Sequence, residues 1–153
     1  MNNTNAPQVI VEHVHKEFSI GDNAIVALKD INLSVREGEF VAVLGPSGCG
    51  KSTLLNAIAG FSEPTSGRIV ANGAPVSSPG PDRGMVFQEY ALFPWMTVAD
   101  NIAFGLEIKG TEKQEIRDKV DGLLGKLQLL DFRDRFPKDL SGGMRQRVAI
   151  ARV

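Results

Sequence analysis

One short stretch, GPSGCGKST at residues 45–53, constrains the fold of this chain more than any other feature. It satisfies the pattern G-x-x-x-x-G-K-[ST] through Gly45, Gly50, Lys51 and Ser52. Glycines at these positions let the backbone curl so that successive N–H groups point at one bound anion. The apolar run FVAVL before it predicts a buried strand, and the segment after it predicts a helix that ends at Gly60. The alternative is a glycine-rich turn that only joins a strand to a helix.

The side chains of this loop suit a nucleotide phosphate. Lys51 can reach the terminal phosphates, the Ser52 hydroxyl can bind Mg²⁺, and the helix N-terminus adds about half a positive charge. Cys49 lies beside that N-terminus, which lowers the pKa of a thiol, so a reactive thiolate is one interpretation. The other is that Cys49 supplies only a backbone amide. We expect the phosphates of a nucleotide to contact the whole loop: Gly45, Pro46, Ser47, Gly48, Cys49, Gly50, Lys51, Ser52 and Thr53.

Composition limits the classes of function. The 17 Lys and Arg residues nearly balance the 18 Asp and Glu residues, which argues against an electrostatic nucleic-acid surface, so we expect no nucleic-acid partner. The single cysteine cannot form an internal disulfide, which fits a reducing compartment. The segment MNNTNAPQ lacks the features of a signal peptide, and no apolar run reaches the roughly 18–20 residues of a membrane-spanning helix.

The remaining patterns divide the chain into an extended and a helical part. QVIVEHV, AIVALKDINLSV, SGRIVANG and the short MVF predict strands. TVADNIAFGL predicts a helix with Thr97 as its N-cap, and TEKQEIRDKVDGLLGKLQ predicts an amphipathic helix with Thr111 and Gln114 in capping-box positions. The inward face of the second helix is predicted to carry Ile116, Val120, Leu123, Leu124 and Leu127.

A second anion-binding helix start is predicted in LSGGM. Ser141 is a good N-cap, and Gly142 and Gly143 leave the first helical amides uncovered. A capped helix start without a ligand is the alternative. The three segments GPSGCGKST, VFQE and LSGGMRQRVAIAR, in this order, resemble the phosphate loop, glutamine loop and signature motif of the ATP-binding subunit of an ABC transporter. The resemblance extends from about Val9 to the last residue.

The resemblance implies an α/β fold, a P-loop NTPase core that is incomplete, with an antiparallel β edge and a helical subdomain. It divides the chain into part of the ATP-binding core at 1–88, the helical subdomain at 89–143 and the start of the signature helix at 144–153. Family members continue with an Asp that binds Mg²⁺ and a Glu that orients the attacking water. We therefore expect a chain truncated after the signature motif, which contacts ATP but has little turnover.

The resemblance also implies roles for individual residues. Lys51 and Gln88 would be catalytic, Ser52 would meet Mg²⁺, Gln88 would meet Mg²⁺ or the attacking water, and Phe18 would stack on adenine. The alternatives are an exposed loop glutamine without a role and a core or edge-strand phenylalanine without a ligand. The signature residues would contact ATP held by another subunit: Leu140, Ser141, Gly142, Gly143 and Met144. Met144 departs from the Gln that is commonest in the family, a change that removes a side-chain amide but no backbone donor. The membrane-embedded subunit would contact Tyr90, Phe93 and Trp95, although packing inside the helical subdomain is the alternative for Trp95.

The subgroup that this sequence is most similar to is the importers of nitrate, sulfonate and taurine. That similarity implies a homodimer of ATP-binding subunits, integral membrane permease subunits and, indirectly, an extracytoplasmic solute-binding protein. The protein would then be peripheral, at the cytoplasmic face of the inner membrane. Two alternatives stay open at this point. One is a non-transport ABC ATPase acting in DNA repair or on the ribosome, and the other is a truncated, non-catalytic piece that only binds a partner.

Overall fold

The computed structural model describes residues 7–21 and 23–153. The chain forms two compact units, Met1–Gly84 and Met85–Val153, and each is described by itself. The first unit holds an antiparallel sheet and one helix, and the second holds three helices. The predicted α/β class is thereby confirmed.

The sheet of the first unit has four strands: β1 (Pro7–Ile20), β2 (Asn23–Arg36), β3 (Ser66–Ala71) and β4 (Ala74–Pro75). Their order is β2-β1-β3-β4, and every neighbouring pair is antiparallel. The three longer strands confirm the extended segments expected from residue alternation. Helix α1 (Lys51–Ala59) ends at Gly60 in the left-handed conformation, as its sequence predicts.

Helix α1 packs on the sheet through one apolar face. Leu54 and Ala57 are buried with side chains from three strands, among them Val11, Leu28 and Ile69. Leu55, the residue after Leu54, is 49% exposed. Burial of this face fixes the direction of α1 and therefore the position of the loop that precedes it.

The expectation of two short buried strands, FVAVL and MVF, is wrong. Neither segment has strand structure, and Phe40 and Leu44 are 94% and 89% exposed. A strand exists only through hydrogen bonds to a neighbouring strand, and residues 7–21 and 23–153 supply no such neighbour for these two segments. The phosphate loop therefore follows an irregular, exposed segment.

The second unit is built from α2 (Val98–Ile108), α3 (Lys113–Lys126) and α4 (Gly142–Arg152), with short 3₁₀ helices at Leu130–Phe132 and Pro137–Asp139. Its core confirms the amphipathic pattern, because Ile116, Val120 and Leu124 are buried while Leu123 and Leu127 pack at the margin. No helix in the described part of the chain is long and apolar enough to cross a membrane.

The caps of α2 and α3 differ in how well the sequence predicted them. Thr97 caps α2 as expected: its hydroxyl oxygen accepts from the Asp100 amide at 3.1 Å, and the Asp100 carboxylate accepts from the Thr97 amide at 3.2 Å. Thr111 does not cap α3. Glu112 does, and its carboxylate accepts from the amides of Gln114 and Glu115. A carboxylate reaches two amides and interacts favourably with the helix dipole, which a hydroxyl cannot match.

Candidate functional site

The phosphate loop leads directly into α1. Gly50 is the N-cap residue of that helix, with φ of 93°, and no side chain caps the helix start. The first amides of α1 are therefore not used by a capping side chain, although the Leu54 amide already donates to the Gly50 carbonyl at 2.9 Å. An uncapped helix N-terminus presents N–H donors and a positive dipole end, both of which suit an anion.

Two glycines of the loop stand where a side chain would not fit. A Cβ atom built on Gly45 would lie 2.6 Å from the Cys49 sulfur, and one built on Gly50 would overlap the carbonyl oxygen of Ala27 in β2. Gly50 also has a positive φ, which L-residues rarely adopt. The curl of the loop therefore depends on glycine at both positions.

The Lys51 side chain folds back into the curl of the loop. Its ammonium donates to the carbonyl oxygens of Gly45 at 2.8 Å and Pro46 at 2.6 Å, and it lies 3.6 Å from the Cys49 sulfur. The two carbonyl oxygens carry no formal charge that would neutralise the ammonium, and Lys51 makes no ion pair within the described residues. A cation held inside a ring of backbone groups, beside a helix N-terminus, suits a polyanionic phosphate chain.

The donor set for a metal ion is sparse. Ser52 is exposed on the first turn of α1. No group of three or more His, Cys, Asp or Glu side chains that could hold a metal occurs among the residues that the structure describes. Mg²⁺ usually binds through one or two protein ligands together with substrate phosphates, so one hydroxyl fits an ion that arrives with the nucleotide.

Phe18, the expected adenine contact, lies near the end of β1. It is 42% exposed, and the Lys16 ammonium lies 5.2 Å from the centre of its ring. An aromatic ring that remains this exposed on a strand has a face available for a flat ligand. Its pairing with Lys16 is also typical of a surface cation–π contact, which needs no ligand.

The signature residues begin α4 in the second unit. The Ser141 hydroxyl accepts from the Met144 amide at 3.3 Å, as its predicted N-cap role requires. Leu140 is buried in the core and Gly143 is exposed, with no atom within 4 Å of where its Cβ would lie. No acidic residue occupies the first turn of α4. The helix start is open on the Gly143 side and electrostatically suited to an anion.

Comparison with known proteins identifies the family. The sequence profile described as ABC transporter matches residues 28–153, which is most of the chain. The chain belongs to the ABC transporter family.

Several members of the ABC transporter family are similar over nearly the whole chain. It is 54% identical over 129 residues to the nitrate import ATP-binding protein NrtD of Synechocystis sp., covering 84% of this chain and 48% of that protein. It is 52% identical over 136 residues to the taurine import ATP-binding protein TauB of Roseobacter denitrificans, covering 89% and 50%. The chain thus spans about half the length of the curated relatives it matches.

Solved ABC cassettes share the fold. The dimeric post-hydrolysis structure of the ATP-binding cassette MJ0796 bound to ADP and Pi superposes with a TM-score of 0.85 at 36% identity. The match covers 94% of this chain and 68% of that chain. The expected P-loop NTPase fold is therefore confirmed.

The residues predicted to contact a membrane subunit differ in solvent exposure and in packing. Trp95 is 70% exposed, whereas Phe93 is half-buried and packs on Phe104 with ring centres 4.6 Å apart. The Tyr90 ring is half-buried, with the Arg145 guanidinium carbon 5.5 Å from its centre. Gln88 is exposed in a turn that the Tyr90 amide closes by donating to the Phe87 carbonyl. Of these residues, Trp95 presents the most apolar surface to solvent.

Sequence reasoning missed Asn101, the residue that shapes this region. Asn101 is fully buried and hydrogen-bonds to the backbone of three residues in the segment 93–97. The available signal was a polar amide inside the apolar run of TVADNIAFGL, one residue before the inward-facing Ile102. Because buried polar side chains need partners, such a position predicts backbone bonds to an adjacent loop.

Proposed function

We propose that this chain is the ATP-binding, energising subunit of an ABC-type importer. ATP binding and hydrolysis in a dimer would be coupled to uptake of a small anion such as nitrate, a sulfonate or taurine. The observation that carries the proposal is the Lys51 ammonium inside the glycine curl, where it donates to two carbonyls and lies near a thiol, without an ion-pair partner among residues 7–21 and 23–153. The names of the relatives support the importer assignment and the class of solute.

In the proposed nucleotide site, separate groups contact the phosphates, the metal ion, the adenine and the attacking water. Lys51 and the first amides of α1 bind the phosphates, and they neutralise charge that develops on the terminal phosphate during transfer. Mg²⁺, when bound with ATP, supplies further neutralisation, and the Ser52 hydroxyl is its proposed protein ligand. Phe18 is the proposed adenine contact. Gln88 is the proposed residue that meets the metal or orients the attacking water.

The signature residues are proposed to complete the nucleotide site of a second subunit. The first turn of α4 presents uncapped amides around Gly143 without an acidic neighbour, which suits the terminal phosphate of ATP held elsewhere. A site that is complete only between two copies makes the dimer depend on ATP. Similarity to a dimeric ABC cassette supports this arrangement.

The membrane partner is proposed to contact the exposed Trp95 and the neighbouring Phe93 and Tyr90. Trp95 is 70% exposed, and the buried Asn101 side chain hydrogen-bonds to the backbone of its loop. Such an exposed aromatic side chain suits contact with a permease subunit. The proposal places the protein at the cytoplasmic face of the inner membrane as a peripheral subunit. The solute-binding protein would act on it only through the permease.

The test is nucleotide binding by the 153-residue chain, measured by calorimetry with ATP and Mg²⁺. Lys51→Ala should weaken ATP binding at least about tenfold, because a charge-assisted contact to phosphate contributes well over 1 kcal/mol. The matched control is Lys29→Ala, which removes an exposed lysine of β2 with no ion pair in the described chain. Binding of ATP that is equal in the wild type and Lys51→Ala, or absent from the wild type, would overturn the proposal.

Turnover by the 153-residue chain is a separate prediction. We propose that it binds ATP but releases phosphate slowly, because the metal-binding and water-orienting carboxylates of the family pattern have no counterpart in its sequence. Loss of a general base alone lowers rates by about 10²–10⁴. This part of the proposal would be contradicted if the wild-type chain released phosphate at a rate normal for an ATPase and Lys51→Ala abolished that release.

A further inference from the structure

The segment between Gln88 and Trp95 contains an unusual turn. Tyr90 and Ala91 are consecutive residues in the left-handed region, with φ of 63° and 49°, and neither is glycine. A side chain with a Cβ disfavours this conformation, so it persists only where surrounding contacts hold it. Backbone hydrogen bonds within the segment close the turn, and helix α4 adds side-chain contacts to it.

Arg152, in the last turn of α4, holds the Ala91 side of the turn. Its Nη1 atom donates to the Ala91 carbonyl oxygen at 2.6 Å, and its guanidinium carbon lies 5.3 Å from the centre of the Phe93 ring. The Arg152 side chain is half-buried, and this partial removal from water lowers the pKa of its guanidinium. Phe93 in turn lies against Trp95, with ring centres 5.6 Å apart.

The first turn of the same helix holds the Tyr90 side. The Arg145 guanidinium carbon lies 5.5 Å from the centre of the Tyr90 ring. The Tyr90 hydroxyl lies over Gly142, since a Cβ atom built on that glycine would be 3.2 Å from the hydroxyl oxygen. Arg145 also donates to the Leu140 carbonyl at 2.8 Å, so one arginine joins the turn to the residue that precedes the Ser141 cap.

We propose that Arg152 is a positioning residue for the ATP-contacting first turn of α4. By holding the Ala91 carbonyl it fixes the left-handed turn, which sets the Tyr90 ring beneath Arg145 and the Tyr90 hydroxyl over Gly142. The two arginines are two helical turns apart and bind the same segment. This segment thus ties the start of α4 to its end and to the exposed Trp95.

The inference rests on the proposed function, because the first turn of α4 has a role in turnover only if it contacts ATP. Given that role, a partner that displaces Trp95 would act through Phe93 and Arg152 on the Ser141 end of the helix. The link lies entirely within the second unit. It can therefore be measured without nucleotide and without a partner.

The test is residue-resolved amide hydrogen exchange by NMR on the 153-residue chain. Arg152→Gln removes the bond to Ala91, and its direct contacts do not include the first turn of α4. We expect the exchange rates of the Met144 and Arg145 amides to rise about fivefold or more relative to the buried Val120 amide of α3, which reports global opening. Arg152→Lys keeps a cation and a donor, and should restore most of the protection.

The matched control is Arg147→Gln. Arg147 lies on the same helix and also donates from Nη1 to a backbone carbonyl at 2.6 Å, but its partner is Leu127 beside α3. If loss of any α4 arginine bond loosens the helix start, both variants should change Met144 and Arg145 exchange equally, and the proposal fails. A specific effect of Arg152→Gln that Arg152→Lys reverses supports it.

A second variant keeps the proposal testable should Arg152→Gln not fold. Tyr90→Phe retains the ring beneath Arg145 and removes only the hydroxyl over Gly142, so a smaller rise, about twofold, is expected at Met144. Unchanged Met144 exchange in Tyr90→Phe and in every folded Arg152 variant would overturn the inference. A wild-type chain that does not bind ATP would instead overturn the proposed function. The two failures can be told apart, because the exchange experiment contains no nucleotide.

Discussion

The side chain of Asn101 binds both backbone groups of Phe93: its Oδ1 accepts from the Phe93 amide at 2.8 Å, and its Nδ2 donates to the Phe93 carbonyl at 3.1 Å. Nδ2 also lies within hydrogen-bond distance of the carbonyls of Met96 and Thr97. One fully buried amide thus fixes the loop that presents Trp95. The position of an exposed tryptophan here depends on a polar residue in the core.

Replacing Asn101 should therefore be costly. Asn101→Leu is close in volume but leaves the Phe93 backbone groups without their partner, and we expect a loss of about 2–4 kcal/mol in the free energy of unfolding. Urea unfolding followed by Trp95 fluorescence measures this in the second unit. The control Gln114→Ala removes an exposed amide that bonds to Asp118 at 3.0 Å, and should cost below about 0.5 kcal/mol.

The phosphate loop gives a second prediction, which separates the strain of a positive φ from the strain of a Cβ that overlaps a neighbouring atom. Gly50→Ala introduces a Cβ at φ of 93° that overlaps the Ala27 carbonyl, so the loop must move and ATP affinity should fall at least about tenfold. Gly38→Ala also places a Cβ at positive φ, 72°, but in open space. It should cost about 1 kcal/mol of stability and leave ATP binding unchanged. Calorimetric titration of both variants decides, and equal affinities would contradict the overlap argument.

The sequence predicts those features of the structure that are set by contacts between residues a few positions apart. The Thr97 cap, the inward face of α3 and the left-handed end of α1 at Gly60 follow from spacing within a few residues, and the structure has them. The strand predicted for FVAVL does not form, because a strand needs a hydrogen-bonding neighbour that no local pattern reveals. No local pattern predicts the left-handed turn at Tyr90, because Arg145 and Arg152, which contact it, are distant from it in the sequence.

Helix α3 offers a stabilising substitution that follows from local structure alone. Gly122 lies inside the helix, is exposed, and would place a Cβ where no atom lies within 4 Å. Gly122→Ala should raise the free energy of unfolding by about 0.5–1 kcal/mol, because alanine loses less backbone entropy on forming a helix. Gly105→Ala in α2 is a comparison, because a Cβ atom built on that helical glycine would lie 4.0 Å from the carbonyl oxygen of Arg152, in ordinary contact, and a similar gain is expected there. A decrease in stability of Gly122→Ala in urea unfolding would contradict the assignment of an open helical position.

The ion pair between Glu12 of β1 and Arg68 of β3 gives a prediction in pH. The hydrogen bond from Arg68 lowers the pKa of the Glu12 carboxyl below its ordinary value of 4.5. A depressed folded-state pKa means that the pair stabilises the fold above the ordinary pKa, and that this contribution is lost as pH falls through the lower, folded value. Both side chains are substantially exposed, so we expect salt to screen the interaction.

Arg68→Met should raise the pKa of Glu12 toward its ordinary value, as measured by NMR titration of the carboxyl carbon. It should also flatten the acid side of the stability–pH profile, because the Glu12 pKa then differs less between the folded and unfolded states. Arg36→Met removes the same charge from the neighbouring strand β2, where the side chain makes no ion pair with any described residue, and should leave the Glu12 titration in place. A Glu12 pKa that shifts equally in both variants would mean that net charge, rather than the cross-strand pair, sets it.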